Sequence, residues 1–116
     1  MKIGLSQRIL YHKGQAYDAT DQNWYSYLQH HRLSVVPNST KLDFEALADY
    51  LDAFIIAGGD DSLIRRTVDL TLATQMMALR KPIVGICHGC FLLTQTLGGT
   101  VSDCEGHSGT DHYVYH

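Results

Sequence analysis

The stretch that decides the fold is residues 81–100, which read KPIVGICHGCFLLTQTLGGT. Residues 83–86 are apolar, rich in β-branched side chains and too few for a helix, so they predict a buried strand. The glycine-bounded segment at 85–89 then predicts a sharp turn into an apolar helix, expected over residues 90–97 and ended by the Gly-Gly pair that follows. A strand, a tight turn and a helix in this order predict that Cys87 is the nucleophile of a nucleophile elbow.

The spacing of the two glycines has a physical reason. Gly85 and Gly89 lie two residues before and two residues after Cys87, where the backbone of an elbow passes so close that a side chain would clash. A thiolate at Cys87 would sit at a helix N-terminus, whose dipole and N–H groups favour an anion. The N–H of His88 is then predicted to stabilise an oxyanion.

This elbow resembles the active-site elbow of class I glutamine amidotransferases and the related γ-glutamyl hydrolases. Residues 55–60, IIAGGD, resemble the oxyanion strand and loop of that family and precede the elbow in the expected order. Residues 2–8, KIGLSQR, and 21–24, DQNW, are similar to a branch associated with sugar-nucleotide and surface-polysaccharide chemistry. The resemblance implies a flavodoxin-like α/β three-layer sandwich with a mostly parallel sheet, and hydrolysis or transfer at a γ-glutamyl amide.

The resemblance also implies roles for particular residues. Cys87 attacks the amide carbonyl, and the N–H groups of Gly59 and His88 hold the oxyanion. Gly58, His107 and His112 are expected to contact the substrate.

The family supplies its catalytic base and the carboxylate partner of that base as a His and a Glu far downstream of the elbow. No matching pair occurs before His116, where the sequence ends. Three explanations stay open: a fragment, which we favour, a short natural relative, or a substitute histidine within the chain. We expect one domain over residues 1–116, a partial glutamine amidotransferase-like domain.

Two features of the elbow depart from the amidotransferase pattern C-x-G-x-Q. The last position is Phe91, so an apolar side chain stands where the family has a residue that lines the glutamine site. The Cys-His-Gly sequence is also similar to the cysteine protease, chaperone and deglycase branch of the same fold.

The rest of the chain alternates strands and helices, which predicts a parallel sheet of about four strands with helices on both faces and ligands at the carboxyl ends of the strands. A polar loop is expected from the first strand through Tyr17. A helix capped by Asp21 is expected next, and its core stripe is interpreted as Trp24, Tyr27, Leu28 and His31, which recur at helical spacing. The predicted strands are residues 2–5, 34–37, 53–57 and 83–86, and the further predicted helices are 44–50 and 62–79.

Composition narrows the function classes. The chain has 116 residues, 45% of them hydrophobic, and a formal net charge of −3, values typical of one soluble globular domain. Its nine Lys and Arg residues are scattered and no apolar run is long enough to span a bilayer, so neither nucleic acid nor membrane is expected as a partner. We expect a cytoplasmic homo-oligomer without a cofactor, acting on a small-molecule γ-glutamyl substrate such as glutamine, with a possible synthetase partner.

Three other interpretations of the same residues stay open. Cys87, Cys90, Cys104 and His107 have the spacing C-x2-C-x13-C-x2-H, which is acceptable for tetrahedral zinc, although a metal is not our expectation. The first two cysteines also form a C-x-x-C pair between strand and helix, as thiol-redox proteins have. Finally, an exposed sheet edge would suit a non-catalytic dimeric binding or regulatory module with a vestigial elbow.

Overall fold

A computed structural model describes residues 1–59 and 61–97 of the chain. Four parallel strands form one sheet in the order β4-β1-β5-β6, and two antiparallel strands, β2 and β3, form a hairpin. The strands are β1 (Lys2–Ser6), β2 (Arg8–His12), β3 (Gln15–Ala19), β4 (Arg32–Val36), β5 (Ala53–Ile56) and β6 (Ile83–Gly85). The helices are α1 (Asn23–Tyr27), α2 (Phe44–Tyr50), α3 (Leu63–Ala78) and α4 (His88–Thr96).

The strand order places the functional end of the sheet. Numbered within the sheet alone, the order is 2-1-3-4, which is the order of a flavodoxin-like doubly wound sheet. The connections reverse direction between β1 and β5, and the carboxyl ends of those strands therefore border the crevice where such folds bind ligands. The predicted fold class is confirmed, and the predicted strands and the helices at 44–50, 62–79 and 90–97 are present with small shifts at their ends.

The hydrophobic core lies between the sheet and the helices α2, α3 and α4. Phe54 and Ile56 point from β5 into this layer, and both are fully buried. Gly4 of β1 faces the same layer, where an added Cβ would lie 2.5 Å from the side chain of Leu51. The remaining buried members of the core are Val36, Ala48, Val68, Leu72, Ala73, Met76 and Leu92.

The described residues cover the opposite face of the sheet only in part. Ile55 is partly exposed, and Val84, its partner in the register of β5 and β6, is 51% exposed. Among the described residues this face carries α1 but no second helix to match α2 and α3. The predicted helices on both faces are therefore present, with α1 alone on this face among residues 1–59 and 61–97.

The predicted polar loop after β1 is instead the β2–β3 hairpin, so that prediction was wrong. His12 pairs with Gln15, leaving a two-residue turn of Lys13 and Gly14. Both turn residues have positive φ, 50° and 77°, as the tightest hairpin turns require. Both strands are mostly exposed, and the apolar run in β2 is only three residues long, residues 9–11, so it does not mark a strand clearly in the sequence.

The interpretation of the following helix as a core stripe was also wrong. The helix α1 has only five residues, little more than one turn, and cannot bring side chains from Trp24 to His31 onto one face. Leu28 is buried, but Tyr27 is 80% exposed and Trp24 is half-buried. Asp21 accepts a hydrogen bond from the N–H of Asn23 over 2.9 Å, while the N-cap position belongs to Gln22.

No helix in the described part of the chain is long and apolar enough to cross a membrane. The cytoplasmic location stays a prediction.

Candidate active site

The turn between β6 and α4 holds Cys87 in an unusual backbone conformation. Its φ is 53° and its ψ is −112°, outside the regions that residues with a side chain normally occupy. Such strain persists only where the surrounding structure enforces it, and it collects at functional sites. The turn leaves Cys87 exposed at the N-cap of α4, so the thiol is accessible from solvent.

The two glycines that flank the turn allow α4 to approach the sheet. A Cβ on Gly85 would collide with the carbonyl group of Gly89, and a Cβ on Gly89 would collide with the carbonyl oxygen of Ile56 in β5. The N–H of Ile86 donates to that same Ile56 oxygen over 2.9 Å. The spacing read from the sequence therefore has the predicted steric cause.

The glycine loop, residues 58 and 59, lies directly opposite the cysteine. An added Cβ on Gly58 would lie 3.4 Å from the Cβ of Cys87 and 3.9 Å from its Sγ. Gly59 has a φ of 131°, which a residue with a side chain rarely adopts. The loop therefore brings backbone groups next to the thiol.

Arg65 ties this loop to the ends of two strands. Its Nη1 donates to the carbonyl oxygen of Gly58 over 3.0 Å, and its Nη2 donates to the carbonyl oxygen of Ala57 and, over 3.1 Å, to Oγ of Ser6. The same Oγ accepts the N–H of Ala57 over 2.8 Å. Because a trans peptide directs its C=O and N–H oppositely, a Gly58 carbonyl turned towards Arg65 directs the N–H of Gly59 away from it.

The guanidinium of Arg65 is fully buried and paired with a buried carboxylate. Its Nε lies 3.3 Å from Oδ2 of Asp69, one helical turn later on α3. Burial raises the pKa of the Asp69 carboxyl to about 7, against the opposing effect of the Arg65 charge. The sequence analysis did not identify Arg65 or Asp69. Two opposite charges at positions i and i+4, next to the apolar stripe of Val68, Leu72 and Met76, could have indicated a buried charged pair.

His88 turns its ring towards the start of α3. Its Nε2 lies 3.9 Å from Oδ1 of Asp61, and its side chain is only 10% exposed. Hydrogen bonds from Arg66, together with the nearby charges of Arg66, His88 and Arg65, lower the pKa of Asp61. As the first residue of α4, His88 has no intrahelical acceptor for its N–H.

A cleft of about 200 Å³ opens beside Cys87, at the crevice between the ends of β1 and β5. The hairpin and the start of α1 form its outer wall, so sequence reasoning missed that wall together with the hairpin. The lining residues are Ser6, Arg8, Ala19, Thr20, Asp21, Trp24, Ala57, Gly58, Ile86 and Cys87.

The site consists of a strained cysteine at a strand-to-helix turn that faces a glycine loop. Comparison of the sequence with known protein families agrees with this arrangement. The family described as "Glutamine amidotransferase class-I" matches residues 15–116. The chain belongs to this family.

A curated member of similar sequence is a GMP synthase [glutamine-hydrolyzing] of Streptomyces coelicolor. It is 36% identical to the present chain over 69 residues. That alignment covers 60% of the chain and 13% of the GMP synthase. The chain therefore corresponds to a small part of this amidotransferase relative.

Two residues that the resemblance assigned to this amidotransferase site lie outside the described residues. They are His107 and His112, and with them Cys104 of the zinc hypothesis. Cys87 and Cys90 are free cysteines, and residues 1–59 and 61–97 contain no group of three or more side chains suited to hold a metal ion. In the same part of the chain, Sγ of Cys87 makes no hydrogen bond, so no base is assigned to it.

Proposed function

We propose that this chain carries the nucleophile and oxyanion loop of a glutamine amidotransferase, and that it cleaves a γ-glutamyl amide such as glutamine. The observation that carries the proposal is the conformation of Cys87, whose φ of 53° and ψ of −112° hold an exposed thiol opposite Gly58. Family membership supplies the reaction class.

The reaction begins with attack of the Cys87 thiolate on the γ-carbonyl carbon. A tetrahedral oxyanion forms and accepts hydrogen bonds from the N–H groups of Gly59 and His88. The C–N bond then breaks, the leaving nitrogen takes a proton, and ammonia departs. Water hydrolyses the resulting thioester, which releases glutamate and restores the thiol.

The arrangement around Gly58 and Gly59 supports the oxyanion role. Two hydrogen bonds from the buried Arg65, to the carbonyl oxygens of Ala57 and Gly58, fix these peptide groups before substrate arrives. Donors that need no reorganisation are the ones that stabilise a transition state most effectively.

Three finer parts of the prediction rest on the sequence. A role in sugar-nucleotide or surface-polysaccharide metabolism is proposed from the resemblance of residues 2–8 and 21–24 to a branch of the family. A synthetase partner that receives ammonia, and a homo-oligomeric state, are further proposals. The name of the GMP synthase relative, glutamine-hydrolyzing, supports the ammonia-releasing half of the reaction alone.

The test is release of glutamate from glutamine by the wild-type chain, by Cys87→Ala and by Cys90→Ala. Cys90 is a matched control because it is also a free, exposed cysteine, one turn further along α4. We expect Cys87→Ala to fall to the uncatalysed rate and Cys90→Ala to stay at the wild-type rate. Equal release by wild type and Cys87→Ala would overturn the proposal.

A further inference from the structure

The cleft beside Cys87 carries two opposite charges that the reaction above does not use. Arg8 begins β2, and Asp21 lies between the hairpin and α1. Both line the cleft together with Cys87, and Trp24 adds an apolar surface. The family match begins at residue 15, so Arg8 lies outside the part of the chain that the family pattern covers.

Arg8 packs along the glycine loop. A Cβ built on Gly59 would lie 2.8 Å from the Cβ of Arg8 and 3.6 Å from its Nε, while the preceding glycine faces the thiol of Cys87. The α-carbons of consecutive residues lie about 3.8 Å apart. The Arg8 guanidinium lies beside Gly59 and the Cys87 thiol beside Gly58, so both groups border the same short loop.

The guanidinium of Arg8 forms neither an ion pair nor a hydrogen bond within the part of the chain that the structure describes. A cation beside a nucleophile fits a carboxylate, which the planar guanidinium binds through two parallel hydrogen bonds. Arg8 is exposed at the cleft mouth, so a ligand can reach it from solvent.

Asp21 supplies the opposite charge in a fixed orientation. Its Oδ1 accepts the N–H of Asn23 over 2.9 Å, and Oδ2 has no partner among the described residues. A carboxylate held in this way fits an ammonium group. The half-buried indole of Trp24 lies on the same wall, where methylene groups can pack.

We propose that Arg8 binds the α-carboxylate and Asp21 the α-ammonium group of the substrate, so that the cleft selects γ-glutamyl compounds with an unsubstituted α-amino acid end. This inference rests on the proposed function. It also explains how a polar substrate end is held although Phe91 replaces the polar elbow residue of the family.

The test compares how fast three reagents alkylate Cys87, by mass spectrometry of the intact chain. The first is a diazo-ketone analogue of glutamine, the second is the same diazo-ketone with its amino group removed and its carboxylate amidated, and the third is iodoacetamide. The variants are Arg8→Gln, Arg8→Lys and Asp21→Asn. Arg32→Gln is the matched control, because it removes an exposed arginine at the amino-terminal end of β4, the opposite end of the sheet.

We expect Arg8→Gln and Asp21→Asn to slow the glutamine analogue roughly 10- to 100-fold, the usual effect of losing a charged hydrogen bond. Arg8→Lys should fall between wild type and Arg8→Gln. All variants should react with iodoacetamide at the wild-type rate, and Arg32→Gln should match wild type with every reagent.

Two results would overturn the inference, and they differ in what they say of the proposed function. Equal rates for both diazo-ketones, unchanged in Arg8→Gln, would reject the amino-acid site and leave the nucleophile intact. Reaction of wild-type Cys87 with iodoacetamide but with neither diazo-ketone would reject the γ-glutamyl chemistry, and the inference with it.

Discussion

Nη1 of Arg65 donates a hydrogen bond to the carbonyl oxygen of Gly58 over 3.0 Å. This contact joins a fully buried side chain of α3 to the loop that faces Cys87, and it fixes which way the next peptide N–H points. The Arg65 guanidinium also contacts the ends of β1 and β5, so one residue sets the relative positions of three elements around the cleft.

Replacement of Arg65 should lower both the stability of the fold and the reactivity of Cys87, and a second substitution at Asp69 distinguishes the two effects. Arg65→Met leaves the Asp69 carboxyl buried beside an apolar side chain and should lower the free energy of unfolding by about 3–5 kcal/mol. The double variant Arg65→Met/Asp69→Leu should recover part of that loss, because no buried carboxyl remains. Urea unfolding measures both effects.

The double variant also tests the link from Arg65 to the oxyanion loop. With the Gly58 carbonyl no longer held, its reaction with the diazo-ketone analogue should stay about 10²-fold or more below wild type. A folded double variant that reacts at the wild-type rate would show that Arg65 acts on stability alone.

Replacement by alanine should lower the stability much more at Gly89 than at Gly58. Gly89→Ala drives a Cβ into the Ile56 carbonyl oxygen and should cost about 1–3 kcal/mol or more, because α4 must move from β5. In Gly58→Ala the nearest atom is the Cys87 Cβ at 3.4 Å, an ordinary contact, so unfolding should change by less than about 1 kcal/mol. Alkylation of Cys87 should nevertheless slow in Gly58→Ala. Equal stability of the two variants would contradict the packing described.

Asp69 should give the protein a measurable dependence of stability on pH. The folded state keeps this carboxyl protonated up to a pKa of about 7, whereas the unfolded chain ionises near 3.8. The folded state therefore binds the extra proton between these values, and its free energy of unfolding falls as the pH rises through the window. The stability that protonation of Asp69 contributes is fully present below pH 3.8 and is lost above about pH 7. The difference in the free energy of unfolding between these limits is at most about 4 kcal/mol.

Asp69→Asn removes this titration while keeping a similar shape. Denaturant unfolding from about pH 4 to pH 7.5 should show the wild type losing stability relative to Asp69→Asn as the pH rises. Asp49→Asn, an exposed position on α2, is the control and should run parallel to wild type. A constant difference between Asp69→Asn and wild type across the window would contradict the raised pKa.

The sheet and the elbow could be predicted because both follow from local patterns. Short apolar runs at 83–86 and 53–57 predicted the strands correctly, although β6 is only partly buried. Gly85 and Gly89 are required by close contacts with the carbonyl groups of Gly89 and Ile56, respectively. The helix α3 was predicted from its apolar stripe, and its Ser62 accepts the N–H of Arg65 at the N-cap.

The outer wall of the cleft could not be predicted in the same way. The β2–β3 hairpin buries little, so the pairing of its backbone leaves no alternation of apolar and polar residues in the sequence. The clue was the pair Lys13 and Gly14, whose positive φ values close the turn. Without the hairpin, nothing in the sequence placed Arg8 beside Gly59.

The buried pair of Arg65 and Asp69 was missed for a different reason. Arg65 and Asp69 lie on the core side of α3, where hydrophobic periodicity leads one to expect apolar residues. Their positions depend on partners distant in sequence, such as Ser6, and a helical pattern does not report such contacts.

The measurement that tests the central claim most directly is the intact mass of the wild-type chain, Cys87→Ala and Cys90→Ala after exposure to the diazo-ketone analogue of glutamine. The strained turn and the glycine loop predict a single adduct on wild type and on Cys90→Ala, and none on Cys87→Ala. An adduct that persists in Cys87→Ala, or a folded wild-type chain that takes up none, would contradict the assignment of Cys87 as the nucleophile of a γ-glutamyl amide reaction.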